Sequence, residues 1–172
     1  MEDISSTLAE VLTGRTAFLG IGNADRGDDG LGVRLAEALR KAGVENVLIA
    51  GTTPENDVTA LRNGQYETVI FLDAVLSGAE PGSVMLLDAA RVKSAFPQVS
   101  THKYSLGTLA GIVGSGTGTK VWLLGVRPAS TETGTALSGA VEETLRMLIE
   151  LILSSKRAMK EIETSKRERV CL

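Results

Sequence analysis

The sequence predicts an α/β fold: a three-layer, mostly parallel, five-stranded twisted sheet with helices on both faces. Five short apolar runs alternate along the chain with segments whose apolar residues recur at a helical period, the pattern of successive strand and helix units. The length of 172 residues is that of about one domain. With one Trp, two Tyr and three Phe, the core must be aliphatic.

The first strand and helix flank a polar turn rich in glycine and aspartate. After an amphipathic lead-in over 1–15, the run TAFLG at 16–20 is short, apolar and ended by glycine, which indicates a buried strand. The turn IGNADRGDDG follows. Residues 31–41 then place apolar side chains at the spacing of an amphipathic helix, and Gly43 provides its stop signal.

The remaining elements continue this alternation. A second strand at 44–50 leads into a short helix that starts near Pro54, because proline favours the first turn of a helix, and extends to residue 62. A third strand over 68–72 ends at Asp73, and turn-forming residues separate it from the fourth. The later predicted elements are strands at 83–87 and 120–125 and helices at 89–96, 106–113 and 136–153.

A change in composition near residue 153 sets the predicted domain boundary. Residues 1–153 are expected to form a single α/β domain, and 154–172 a basic C-terminal extension, helical or frayed. Between 154 and 169 there are six Lys or Arg against three Glu. A solvated face is the simpler interpretation of this charge, and a basic arm that contacts a partner is the alternative.

Charge, cysteine content and hydropathy exclude several classes of protein. The net charge of −3 does not favour nucleic acid as a partner. The single cysteine, Cys171, allows neither an intramolecular disulfide nor a multi-cysteine metal site. No apolar run approaches the roughly 18 residues that span a bilayer, and the first ten residues are acidic where a signal peptide would be positive. We therefore expect a cytoplasmic protein with no membrane span.

Two glycine-rich segments imitate phosphate-binding loops without meeting their requirements. Gly20 and Gly22 follow a strand, but Asp25 replaces the third glycine of the dinucleotide motif and no carboxylate follows the second strand. The run GSGTGTK at 114–120 has threonine where a phosphate loop needs glycine before its lysine. We expect no tightly bound organic cofactor, and keep a small-molecule or nucleotide-binding module as an alternative function.

Polar residues with metal-binding chemistry follow the first and third strands. Asp28 and Asp29 open a helix, where capping accounts for one of them. Asp73 ends the third strand and His102 is the only histidine, and a turn and a structural role are the simpler interpretations of these two.

The expected topology brings three of these residues together. If the strand order is 2-1-3-4-5, strands one and three are neighbours, and their carboxyl ends flank the point at which open α/β sheets bind ligands. The loop that carries His102 would follow strand four at the same edge. Asp29, Asp73 and His102 would then form a transition-metal site with open positions.

Six pieces of the sequence match one known family in order and spacing. They are GIGNADRGDDGLG (20–32), TTPEN (52–56), VIFLDAV (69–75), PGSVMLLD (81–88), STHKYSL (100–106) and LLGVRP (123–128). Together they resemble the hydrogenase maturation endopeptidases, from about residue 16 to 152. The second, fifth and sixth pieces are most similar to the branch that processes hydrogenase-3-type enzymes.

The resemblance implies an endopeptidase that removes the C-terminal extension of a [NiFe]-hydrogenase large-subunit precursor after nickel insertion. It implies that Asp29, Asp73 and His102 bind nickel supplied by the substrate, with Asp29 or Asp73 as general base. Many relatives have Glu in place of Asp29. A maturation scaffold that does not cleave is an alternative, and the sequence indicates neither the particular hydrogenase nor the oligomeric state.

Overall fold

The computed structural model describes residues 4–95 and 105–170, and these form one five-stranded sheet with helices on both faces. Short 3₁₀ turns at Gly27–Gly30 and Pro54–Asp57 precede the second and third helices. The strands are β1 (Thr16–Ile21), β2 (Val47–Gly51), β3 (Thr68–Ala74), β4 (Val84–Asp88) and β5 (Lys120–Val126). The helices are α1 (Ile4–Val11), α2 (Leu31–Lys41), α3 (Val58–Asn63), α4 (Ala89–Ala95), α5 (Leu106–Gly114) and α6 (Gly139–Val170).

The sheet order is β2-β1-β3-β5-β4, and all pairings are parallel except that of β4 with β5. The predicted α/β class and the pairing of strands one and three are confirmed, whereas the predicted order 2-1-3-4-5 is wrong at its last two positions. The connection 75–83 explains this, because nine residues without a helix are too few for a parallel crossover. β4 therefore runs back along the sheet edge, and β5 takes the place beside β3.

The reversal of β4 also overturns the reasoning that placed His102. Val84 pairs with Val126 and Asp88 with Trp122, so β4 ends at the amino edge of the parallel strands. In chain order His102 also does not follow β4 directly, since α4 intervenes. His102 itself lies outside the described residues.

Alternate residues of the central strands pack on opposite faces of the sheet, which creates two core layers. Phe18 faces a cluster formed with α1, α2 and α6. Leu19 faces a second cluster formed with α3, α4 and α5. The aliphatic core predicted from composition is thus divided between the two sides of one sheet, the arrangement of a three-layer α/β fold.

Two glycines let α2 lie unusually close to the sheet. A Cβ added to Gly20 would stand 2.5 Å from the Cβ of Ala36, and one added to Gly32 would stand 2.0 Å from the carbonyl oxygen of Leu72. Real side chains cannot approach so closely. The glycines on both sides of the acidic turn therefore hold the start of α2 directly against β1 and β3.

The last helix, α6, runs without a break through residue 153. Leu153 and Met159 pack against the first core cluster, and the Nζ of Lys156 donates a hydrogen bond to the carbonyl oxygen of Leu12. The first turns of the basic extension are therefore part of the folded body. Among the described residues, no helix is long and apolar enough to cross a membrane.

Candidate active site

The carboxyl ends of β1 and β3 form the floor of the candidate site. These strands are adjacent and parallel, with Gly20 opposite Leu72, so the chain leaves them side by side. The turn 22–30 follows β1, and Asp73 is the penultimate residue of β3. Two further connections start at this edge, after β2 and after β5. Asp29 and Asp73 therefore lie at the sheet edge at which the sequence analysis expected them.

Gly22 lies between the backbone of Asp29 and the side chain of Asp73, where there is no room for a side chain. Its φ is +121°, and an added Cβ would lie 1.9 Å from the carbonyl oxygen of Asp29 and 3.8 Å from Oδ1 of Asp73. L-residues rarely adopt this φ, and the space is already filled. Only glycine lets the turn after β1 bring Asp29 next to the end of β3.

Asp73 is a buried carboxyl whose proton is held unusually tightly. It is 6% exposed, and burial is the largest of several effects that together raise its pKa to about 8. Repulsion by the nearby Asp29 also raises the pKa, while the hydrogen bond from the N–H of Ala74 to Oδ1, at 2.8 Å, acts in the opposite direction. At neutral pH most molecules therefore carry a protonated Asp73 beside Asp29.

Asp29 is half-buried and held from one side only. Its Oδ2 accepts a hydrogen bond from the N–H of Asn23 at 3.0 Å, which orients the carboxylate across the turn. No hydrogen bond from the described residues reaches Oδ1. With this free oxygen and the proton on Asp73, the pair can exchange a proton with a bound molecule. It can also coordinate a cation that displaces the proton.

Asp28 does not cap the helix, as one of the acidic pair was expected to do. It is fully buried, and neither the 3₁₀ turn nor α2 has a side-chain cap. Its Oδ2 accepts hydrogen bonds from the N–H of Ala129 (2.8 Å), the N–H of Ser130 (3.1 Å) and the Oγ of Ser138 (2.9 Å), and its Oδ1 accepts one from the N–H of Ser138 (2.7 Å). Burial raises the pKa of Asp28, but these four bonds together lower it below its usual value.

The segment 127–138 is therefore a wall of the site that sequence reasoning did not identify. Besides the four bonds to Asp28, the N–H of Gly134 donates to the carbonyl oxygen of Asp25 at 2.8 Å, and the Nε of Arg26 donates to that of Thr131 at 3.3 Å. The Nε of Arg127 donates to the carbonyl oxygen of Ser77, in the connection after β3. In the sequence, the LLGVRP piece at 123–128 was the feature that could have indicated a role for this segment.

Glu55 is a second residue that the sequence analysis did not single out. It belongs to the 3₁₀ turn after β2, within the TTPEN piece, and its Oε2 is buried with no hydrogen bond. Among described residues only the Nε of Arg34 shares this property. Buried carboxylate oxygens normally have a hydrogen-bond partner, so Glu55 differs in this respect from the other described acidic residues.

The described residues bring together two of the three predicted metal ligands. Asp29 and Asp73 interact electrostatically at the edge where they were expected. His102 lies outside the described residues, so the proposed third ligand stays a prediction. Within residues 4–95 and 105–170, no three His, Cys, Asp or Glu side chains are grouped so as to hold a metal ion.

Sequence comparison matches most of the chain to one family. The model described as "Hydrogenase maturation protease" matches residues 33–155, a range that contains Asp73 and His102 and begins just after Asp29. The hydrogenase 3 maturation protease of Escherichia coli (strain K12) is 33% identical over 113 residues, which cover 64% of this chain and 71% of that protein.

Solved structures with the same architecture carry related descriptions. The crystal structure of a [NiFe] hydrogenase maturation protease, HycI, from Thermococcus kodakarensis KOD1 has a TM-score of 0.78 and 32% identity, covering 90% of this chain and 99% of that one. The hydrogenase maturating endopeptidase HybD from E. coli has a TM-score of 0.67 and 28% identity, covering 84% and 93%.

Proposed function

Because this chain belongs to the hydrogenase maturation protease family, we propose that it cuts the C-terminal extension from a [NiFe]-hydrogenase large-subunit precursor once nickel has been inserted. The observation that carries the proposal is the pairing of Asp29 with the buried Asp73 at the carboxyl edge of the sheet. This pair lies at the position where open α/β sheets bind their ligands.

Recognition of nickel follows from the electrostatics of this pair. Two adjacent carboxyl groups repel each other when both are ionised, and here that repulsion contributes to the raised pKa of Asp73. A divalent cation removes the repulsion and displaces the proton. Nickel accepts oxygen and nitrogen ligands. In our proposal the nickel belongs to the substrate, and Asp29, Asp73 and His102 reach it only when the precursor is loaded.

Cleavage needs a base for the attacking water and a polarised scissile carbonyl. In our proposal Asp29, or Asp73 once the nickel has displaced its proton, accepts the proton of the attacking water. The precursor's own nickel supplies positive charge near the scissile carbonyl. Because Gly22 has no side chain, the acidic turn packs directly against the end of β3, which keeps Asp29 next to Asp73 for this reaction. The proposed reaction is hydrolysis of one peptide bond.

The decisive experiment compares nickel-loaded with nickel-free precursor and follows the C-terminal cut by mass spectrometry. We expect cleavage of the loaded precursor alone. Asp29→Ala, Asp73→Ala and His102→Ala should each abolish it, whereas Asp25→Ala, an exposed acid of the same turn, should not. Equal cleavage of both precursors would reject nickel recognition, and binding without cleavage by the wild type would identify a scaffold.

A further inference from the structure

The amino edge of the sheet, opposite the candidate active site, contains a cavity of about 310 Å³. It lies between the turn that enters β1 (14–16), the turn that leaves α2 (42–46) and the second half of α6. This volume corresponds to roughly ten water molecules and falls at the lower end of the range for small-molecule sites. The cavity is therefore large enough for a small polyatomic ligand.

The lining of this cavity is strongly positive, although the whole chain has a net charge of −3. Four cations line it, against the single acid Glu45. Among the residues that the structure describes, neither Arg157 nor Lys160 forms an ion pair with a carboxylate within 4 Å. The cations are Arg15, Lys156, Arg157 and Lys160.

Three of these cations form one stripe on α6. Lys160 follows Lys156 by four residues and Arg157 by three, so it lies between them on one side of the helix. The stripe is held in place because Met159 packs against the core. Lys156 is fixed further, since its Nζ donates to the carbonyl oxygen of Leu12 and lies 5.9 Å from the centre of the Phe18 ring. The positive charge is thus partly preorganised.

The end of α2, which also borders the cavity, presents little opposing charge. A helix C-terminus normally exposes carbonyl oxygens that repel anions. Here the N–H groups of residues 42, 43 and 44 donate, each at 3.0 Å, to the carbonyl oxygens of residues 38, 40 and 39 respectively. Gly43, with φ +83°, makes this closure possible. Three of the last four carbonyl oxygens of α2 are therefore already hydrogen-bonded.

We propose that this cavity binds a small polyanion carrying two or more phosphate or carboxylate groups. Arg15 lines the cavity at the start of β1, with its guanidinium 5.3 Å from the centre of the Tyr66 ring, and the other three cations line it from α6, so a multivalent anion has cations from two elements to contact. Charge-assisted hydrogen bonds from Arg and Lys are the usual means of holding such groups. The site is separate from the acidic crevice and does not depend on the proposed protease function.

The test measures thermal unfolding of the full chain with increasing tripolyphosphate or citrate at about 0.15 M salt. A ligand that binds the folded state raises the melting temperature with its concentration. We expect at least one probe to do so, and the probe that acts identifies phosphate or carboxylate as the preferred group. Arg157→Glu combined with Lys160→Glu should weaken this binding at least tenfold. Both side chains are exposed, so the fold should tolerate the change.

A matched control separates the cavity from general charge. Lys93→Glu combined with Lys120→Glu changes the net charge equally at exposed positions that do not line the cavity, and it should leave the binding unchanged. The proposal is overturned if neither probe stabilises the wild type. It is equally overturned if the cavity variant still responds like the wild type, or if both double variants lose the response together.

Discussion

The two edges of the sheet are constructed in opposite ways. At the carboxyl edge the side chains are acidic, and backbone N–H groups and glycines hold them: Asp28 is fully buried, and Gly22 has no space for a Cβ. At the amino edge the side chains are cationic and belong mostly to one long helix. Of the two glycines beside them, Gly43 has open space around it, and a Cβ on Gly14 would meet only the carboxylate end of the Glu67 side chain. Geometry is therefore tightly specified where we propose chemistry, and charge dominates where we propose only binding.

The largest expected effect comes from a glycine-to-alanine substitution at the carboxyl edge, compared with the same substitution at the amino edge. Gly22→Ala forces a Cβ against the carbonyl oxygen of Asp29 at a φ of +121°, and we expect a loss of about 3 kcal/mol or more in the free energy of unfolding. Gly43→Ala has a similar backbone penalty without a clash and should cost about 1 kcal/mol. Urea unfolding of both variants measures the difference. Similar losses would mean that the carboxyl edge is no more tightly built than the amino edge.

Removing the carboxylate that joins the first turn to the segment after β5 should have the next largest effect. Asp28→Ala leaves the N–H groups of Ala129, Ser130 and Ser138 without their acceptor, and we expect a loss of about 2–4 kcal/mol. Ser138→Ala removes only the hydroxyl bond and should cost about 1 kcal/mol. Chemical denaturation measures both losses. The exposed Asp25→Ala serves as the control, and a loss there as large as in Asp28→Ala would contradict the role of the four hydrogen bonds.

Asp73 should make the stability of the metal-free protein depend on pH. Its folded pKa of about 8 lies above the ordinary value of 3.8, so the folded state holds a proton that the unfolded state releases. Its stabilising contribution is complete below about pH 4 and is lost as pH rises towards 8. Asp73→Asn should therefore be more stable than the wild type at pH 7, by at most about 4 kcal/mol, and equal to it at pH 4. Melting temperatures across this range provide the measurement, and a constant difference would contradict the shifted pKa.

The same contrast explains which parts of the molecule could be predicted from sequence. Asp29 lies in the turn after one apolar strand, and Asp73 lies near the end of another. Adjacent parallel strands place such residues at the same edge of the sheet, so this pair was predictable. The partners of Asp28 lie 101 to 110 residues further along the chain, and no local pattern connects them. The reversal of β4 could have been predicted from its nine-residue connection to β3, but the regular alternation of strands and helices favoured the parallel arrangement.

The amino-edge cavity was not predictable for a different reason. It exists only because α6 continues past residue 153, where the change in composition had suggested a boundary. Charged residues dominate the composition of the extension, so the apolar contacts of Leu153 and Met159 with the core are not evident from composition. Composition identified the positive charge correctly, but only packing determines that several cations line one wall of a cavity.

The smallest expected effect tests whether this charge is held in place or merely solvated. Lys156→Met keeps the apolar part of the side chain but removes the hydrogen bond to Leu12 and the contact with the Phe18 ring. We expect a loss of about 1 kcal/mol, whereas Lys160→Met, at an exposed position of the same stripe, should change stability by less than about 0.5 kcal/mol. Unfolding in denaturant resolves this difference. Equal values would mean that the cations of α6 are ordinary solvated side chains, and the two edges would then differ in charge but not in the order of their charged groups.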